Sequence, residues 1–242
     1  MISFRNVRLL IPLLILLLSA IAATCLAQET RSADLLSTDT ALSAVAVLEK
    51  LEEKYRETRT FEGEFTQLKV SQLFLEEIKS RGSFWYEKPG RFRCEYDPPN
   101  VQVNLVLNDT AYIYIPDIKQ VEIYRFHSDG SPVGKLNQML LGFGVSVKDV
   151  QSVYNVTRIQ DQETPGSWAL LFRPVKPEEG LSFDAIRLWI NRESLQPEKI
   201  IFDESGGDRT EILMQNIRFN RSIKDTLFKP EFPKDAEIIE QN

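Results

Sequence analysis

Gly82-Ser83-Phe84-Trp85-Tyr86-Glu87-Lys88-Pro89-Gly90-Arg91-Phe92-Arg93-Cys94-Glu95-Tyr96-Asp97-Pro98-Pro99 is the stretch that decides the fold. After the turn at Lys88-Pro89-Gly90, Phe92, Cys94 and Tyr96 alternate with Arg91, Arg93 and Glu95. A strict period of two places the first set on one face of a strand and the second on the other. Pro89-Gly90 and Pro98-Pro99 supply the breaks that bound it.

The same period runs outward in both directions. Upstream, Phe61, Gly63 and Phe65 alternate with Glu62, Glu64 and Thr66, and an extended segment continues to Tyr86. Downstream, Val101, Val103, Leu105 and Leu107 alternate up to a hairpin turn at Asn108-Asp109. Strands follow at 111–115, 120–125, 153–160, 168–174, 183–191, 197–204 and 209–219, divided by turns such as Thr164-Pro165-Gly166 and Gly206-Gly207-Asp208. Many short strands separated by turn signals predict a meandering antiparallel sheet in one domain.

Helical spacing occurs in two places. Ala41, Val45, Leu48, Leu51 and Tyr55 recur behind possible caps at Ser37-Thr38-Asp39, predicting an amphipathic helix over 39–57. Val133, Leu136, Met139, Leu140 and Phe143 predict a short helix over 132–141, and a second helix is expected around Lys148. These helices are too small to fill the hollow of a strongly bent sheet. An apolar cavity under a helical cover and a closed barrel or sandwich with a solid core both fit this pattern.

Composition narrows the function. The chain has 242 residues and a formal net charge of −6, with a pI near 5.1. That balance excludes nucleic acid as a main partner, because neutralising phosphates takes a basic face. With one histidine, His127, and two cysteines, Cys25 and Cys94, neither a zinc site nor a disulfide framework can organise the fold. Cys94 as a nucleophile would have to rely on His127, set in a polar His-Ser-Asp-Gly turn, and no Gly-x-Ser-x-Gly elbow occurs. No catalytic residue, metal or cofactor is expected; the chain does not read as an enzyme.

Met1 to Ala27 has the layout of a secretory signal peptide: Arg5 and Arg8, an apolar run from Leu9 to Leu18, then small residues to Ala27. The run falls short of the ~20 residues that span a bilayer, which disfavours an uncleaved anchor. The expected organisation is a cleaved peptide over 1–27 and a single exported domain over 28–242.

The 82–99 stretch resembles the signature of the LolA-type outer-membrane lipoprotein carriers, in which Gly-x-Leu-Trp-x-x-(Arg/Lys)-Pro precedes a strand of the form Phe-(Arg/Asn)-Trp. Phe61-x-x-x-Phe65-Thr66-Gln67, the hairpin from Leu105 to Tyr114, and Leu227-Phe228-Lys229-Pro230 match further family motifs in order. The resemblance implies a mainly β fold with α: an incomplete, strongly curved antiparallel β-barrel closed by a helical lid over a hydrophobic cavity. It also implies a monomeric periplasmic carrier that receives acylated lipoproteins from an inner-membrane ABC-type exporter and hands them to an outer-membrane acceptor. A lipid- or lipoprotein-sensing module on the same fold is the alternative.

On this reading Phe84, Tyr86, Phe92, Cys94, Tyr96, Val103 and Leu105 line the cavity, and Lys88, Leu136, Met139, Leu140 and Phe143 belong to the lid. Two positions depart from the family. Lys88 stands where an arginine commonly holds the lid, keeping the charge without the planar fork. Cys94 stands where a cavity tryptophan is usual. Arg91 and Arg93 are expected to face outward into solvent.

Overall fold

A computed structural model of the chain describes residues 42–72, 76–125, 146–161, 164, 166–176 and 183–241. Helix α1 (Ala44–Arg56) opens at Ser43, whose side chain accepts from the Ala46 amide, one of the donors a helix start leaves without an intrahelical partner. It buries Ala44, Val47, Leu48 and Tyr55. The expected stripe is thus rotated: Val47 is fully enclosed and Val45 only half-buried.

Strands β1 (Thr60–Ser71), β2 (Glu76–Glu87), β3 (Arg91–Tyr96), β4 (Gln102–Leu107), β5 (Thr110–Ile115) and β6 (Gln120–Arg125) follow. After helix α2 (Val147–Val153) come β7 (Tyr154–Ile159), β8 (Ser167–Pro174), β9 (Phe183–Asn191), β10 (Pro197–Glu204), β11 (Arg209–Phe219) and β12 (Glu237–Gln241). All twelve lie in one sheet, ordered β12-β6-β5-β4-β3-β2-β1-β11-β10-β9-β8-β7. Among the described residues every strand pairing is antiparallel except that of β12 with β6, which is parallel.

The sheet is open and curls around one interior. Its concave face joins Phe61 and Phe65 of β1, Phe84 and Tyr86 of β2, Leu170 and Phe172 of β8, and Ile186 and Ile190 of β9 in a single apolar cluster with α1 and Val150 of α2. Residues from both halves of a long sheet reach one cluster only if the sheet bends strongly, as the sequence led us to expect. α2 is tied to α1 by the Glu52 carboxylate, which accepts from the Val147 amide at 3.0 Å.

Close strand packing fixes the centre of the sheet. A Cβ at Gly82 would sit 1.9 Å from the Glu95 carbonyl oxygen and 2.8 Å from the Phe65 ring. Glycine is therefore required there by space, not by backbone angle. At the far end of β1, buried Lys69 lies 3.6 Å from Glu204 and 3.8 Å from Asp208, tying β1 to β10 and to the loop before β11.

The convex face is covered along β3 to β6 by the segment after β11. Arg91 pairs with Asp225 at 2.9 Å and lies over the Phe228 ring, while Arg93 donates to the Leu227 carbonyl at 3.0 Å. Phe232 packs against Tyr112 and Tyr114. The two arginines expected to meet solvent instead clamp this strap. β12 then pairs with β6 and covers an edge that would otherwise present unpaired backbone groups.

Candidate functional site

Cross-strand register decides which expected residues share the concave face, because directly paired residues point the same way. Phe84 pairs with Cys94, Tyr86 with Phe92, and Gly82 with Tyr96. Phe84, Tyr86, Phe92, Cys94 and Tyr96 are thus brought together, all buried in the concave cluster. Aromatic contacts knit the group: Phe61 meets Phe84 at 5.4 Å and Tyr86 at 5.3 Å, and Phe65 meets Tyr96 at 5.0 Å.

Val103 and Leu105 are not part of this group. β3 pairs with β4 through Phe92–Val106, Cys94–Asn104 and Tyr96–Gln102, so the concave residues of β4 are Gln102, Asn104 and Val106. Val103 and Leu105 share the opposite face with Glu95 and Arg93. Leu105 is fully enclosed, in a row between Arg93 and Tyr112, two residues that hold the C-terminal strap. The apolar alternation of β4 serves the strap, and that inverts the expected assignment.

Lys88 occupies the position from which it can hold a helical cover. Its ammonium donates to the Tyr55 carbonyl, and to that of Arg56 at 3.4 Å. These carbonyls lie in the last turn of α1, where that of Tyr55 also accepts from the Thr58 amide at 3.2 Å and the helix dipole favours a cation. Desolvation pulls the Lys88 pKa below the ordinary lysine value. The joint is completed by the Tyr55 hydroxyl on the Leu195 carbonyl at 3.4 Å and by Lys54 over the Phe219 ring. Leu136, Met139, Leu140 and Phe143, the rest of the expected lid, lie outside the described residues, as does His127.

Burial pushes the Cys94 thiol well above its usual range, with the Glu95 charge adding to the effect. A thiol held protonated and out of solvent is a packing group rather than a nucleophile. Toward β6 the concave face turns polar, which sequence reading missed. Gln102 donates to Asn104 at 2.6 Å, Gln120 to Glu122 at 2.6 Å, and the Tyr124 hydroxyl to Glu122 at 2.8 Å. The signal for it was present in the β4 alternation itself, whose polar half is buried. On the convex side a groove of about 430 Å³ runs beside Thr66, Leu68, Arg81, Pro98, Pro99 and Leu213. It is separated from the concave cluster by the thickness of the sheet.

Known proteins resemble this chain in sequence. Residues 56–231 match the sequence model of the family "Outer membrane lipoprotein carrier protein LolA". The chain is 26% identical over 182 residues to an outer-membrane lipoprotein carrier protein of Methylococcus capsulatus, covering 75% of this chain and 82% of that one. It is 26% identical over 212 residues to one of Pseudomonas putida KT2440, covering 87% and 96%. Among solved structures, a LolA superfamily protein from Nitrosomonas europaea matches over 78% of this chain and 98% of its own, with a TM-score of 0.40 and 12% identity. With the family match spanning α1's last residue to the strap, the chain belongs to the LolA family of outer-membrane lipoprotein carrier proteins.

Proposed function

We propose that this protein carries acylated lipoproteins across the periplasm, burying their acyl chains against the concave face of its sheet. The observation that carries the reading is the joint at Lys88: the apolar, aromatic cluster of the concave face is overlain by a helix whose last turn is held to the sheet by the Lys88 ammonium together with Tyr55 and Lys54. Each buried methylene contributes ~0.8 kcal/mol, so chains of ordinary length supply ample driving force. Release requires that this gain be partly offset by displacing α1, so the cover sets affinity low enough for transfer.

Residues 1–27 act in this scheme as a cleaved export signal. The donor is an inner-membrane ABC-type exporter and the recipient an acceptor at the outer membrane. Relatives named as outer-membrane lipoprotein carriers support this route. The chain does no chemistry on its cargo.

Displacement of a fluorescent acyl probe by a synthetic diacylglyceryl lipopeptide tests the reading. Phe92→Glu, which puts a charge into the concave cluster, should abolish binding while circular dichroism shows the sheet intact. Probe uptake that is absent in the native protein, or unchanged by Phe92→Glu, would refute it.

A further inference from the structure

Buried polar groups in folded proteins nearly always find partners, so an exception needs a cause. Asn104 is 1% exposed, and its Nδ2 is the one buried side-chain polar atom without a hydrogen-bond partner among the described residues. Its neighbours define where it points. It pairs with Cys94 on one side and Ile113 on the other, and both of these belong to the concave apolar cluster.

The amide is also held in a definite orientation. Gln102, only 2% exposed, donates to Asn104 Oδ1 at 2.6 Å, so the acceptor end is occupied and the donor end is left over. The nearest carboxylate in the row, Glu122, already accepts from Gln120 and Tyr124. An N–H donor at the boundary between the apolar cluster and the polar end of the concave face calls for an acceptor that arrives with apolar surface attached. A hydrocarbon chain alone cannot supply one, and its burial would leave the donor unmet.

Resting on the carrier reading above, we infer that Asn104 is a specificity-determining residue whose Nδ2 donates to an acyl carbonyl oxygen of the cargo. The methylenes attached to that carbonyl run from Asn104 along Phe92, Val106 and Ala111 toward the Lys88 end of the hollow. The site thereby distinguishes an acylated ligand from plain hydrocarbon and fixes how deep the linkage sits. Gln102 is a positioning residue, since it acts through the Asn104 amide.

The test compares three synthetic lipopeptides of equal chain length as displacers of an acyl probe: a diester, its diether analogue without carbonyls, and the diether carrying an N-acyl amide. The native protein should prefer the diester, or the N-acylated diether, over the plain diether by about tenfold, the worth of satisfying one buried donor. Preference for the diester assigns the ester carbonyl, and preference for the N-acylated diether assigns the amide carbonyl. Asn104→Leu should bind all three alike, and the isosteric Asn104→Asp should lose the carbonyl ligands selectively. Equal binding of all three by the native protein overturns the inference while leaving the carrier reading standing. If none displaces the probe and no probe binds, the carrier reading itself fails and takes the inference with it.

Discussion

Replacing Lys88 with methionine removes the charge that pins α1 while keeping the length of the side chain. The structure gives Nζ two carbonyl partners in the last helical turn, the stronger on Tyr55 and the weaker, at 3.4 Å, on Arg56. Hydrogen bonds to a charged donor contribute ~1.5–3 kcal/mol, and the desolvation evident in the depressed Lys88 pKa offsets part of that. A net loss of about 1–2 kcal/mol remains, equivalent to a roughly 5–30-fold increase in the population with α1 lifted. Hydrogen exchange by mass spectrometry reads this directly, because local opening accelerates the α1 amides without touching those of β1 and β2. Acyl-probe dissociation should quicken by a similar factor. Lys88→Arg should keep or tighten the joint, since its fork offers more donors to the same carbonyls. Unchanged exchange in α1 for Lys88→Met would show that the ammonium does not hold the helix, and the account of the cover would be wrong.

Other outcomes follow from the packing. Gly82→Ala drives a methyl into the Glu95 carbonyl and should cost about 2–3 kcal/mol, seen as a Tm lowered by roughly 5–10 °C; a drop under 2 °C would mean the strands can separate there at little cost. Lys69→Met leaves the Glu204 and Asp208 carboxylates facing a buried apolar group and should destabilise by about 2–4 kcal/mol in urea unfolding. Phe228→Ala should free the strap at a cost of about 3 kcal/mol, exposing residues 222–236 to limited proteolysis while the concave face still binds probe. Alkylation of Cys94 in the native protein at pH 8 should be far slower than in denaturant, because the buried thiol stays protonated; equal rates would contradict its enclosure.

How much of this could be read from residues alone varies along the chain. β3 was legible because its two faces differ: Phe92, Cys94 and Tyr96 are apolar and the alternate positions are charged. β9, β10 and β11 were bounded by strong turn residues, and their limits match the structure. The division between β1 and β2 was missed because the sequence between Ser71 and Glu76 contains no glycine, proline or asparagine to mark a break. β12 was missed because Glu237–Gln241 holds its place by backbone pairing to β6 and not by an apolar face.

The candidate site shows the same logic. β4 is buried on both faces, so polarity could not say which face is concave; only register did. Arg91 and Arg93 looked like solvent-facing charges because their partners, Asp225 and the Leu227 carbonyl, lie more than a hundred residues away. Lys88 was singled out by the resemblance, as the position of the family's lid arginine, but its partners are backbone carbonyls, which no side-chain pattern records.

The central claim is that acyl chains enter the concave hollow and not the convex groove. A lipopeptide carrying a photoactivatable diazirine in its acyl chain, irradiated in complex with the protein and mapped by mass spectrometry, separates the two. Adducts on Phe61, Phe84 and Phe92 are the predicted result; adducts confined to Thr66, Leu68 and Leu213 would contradict it.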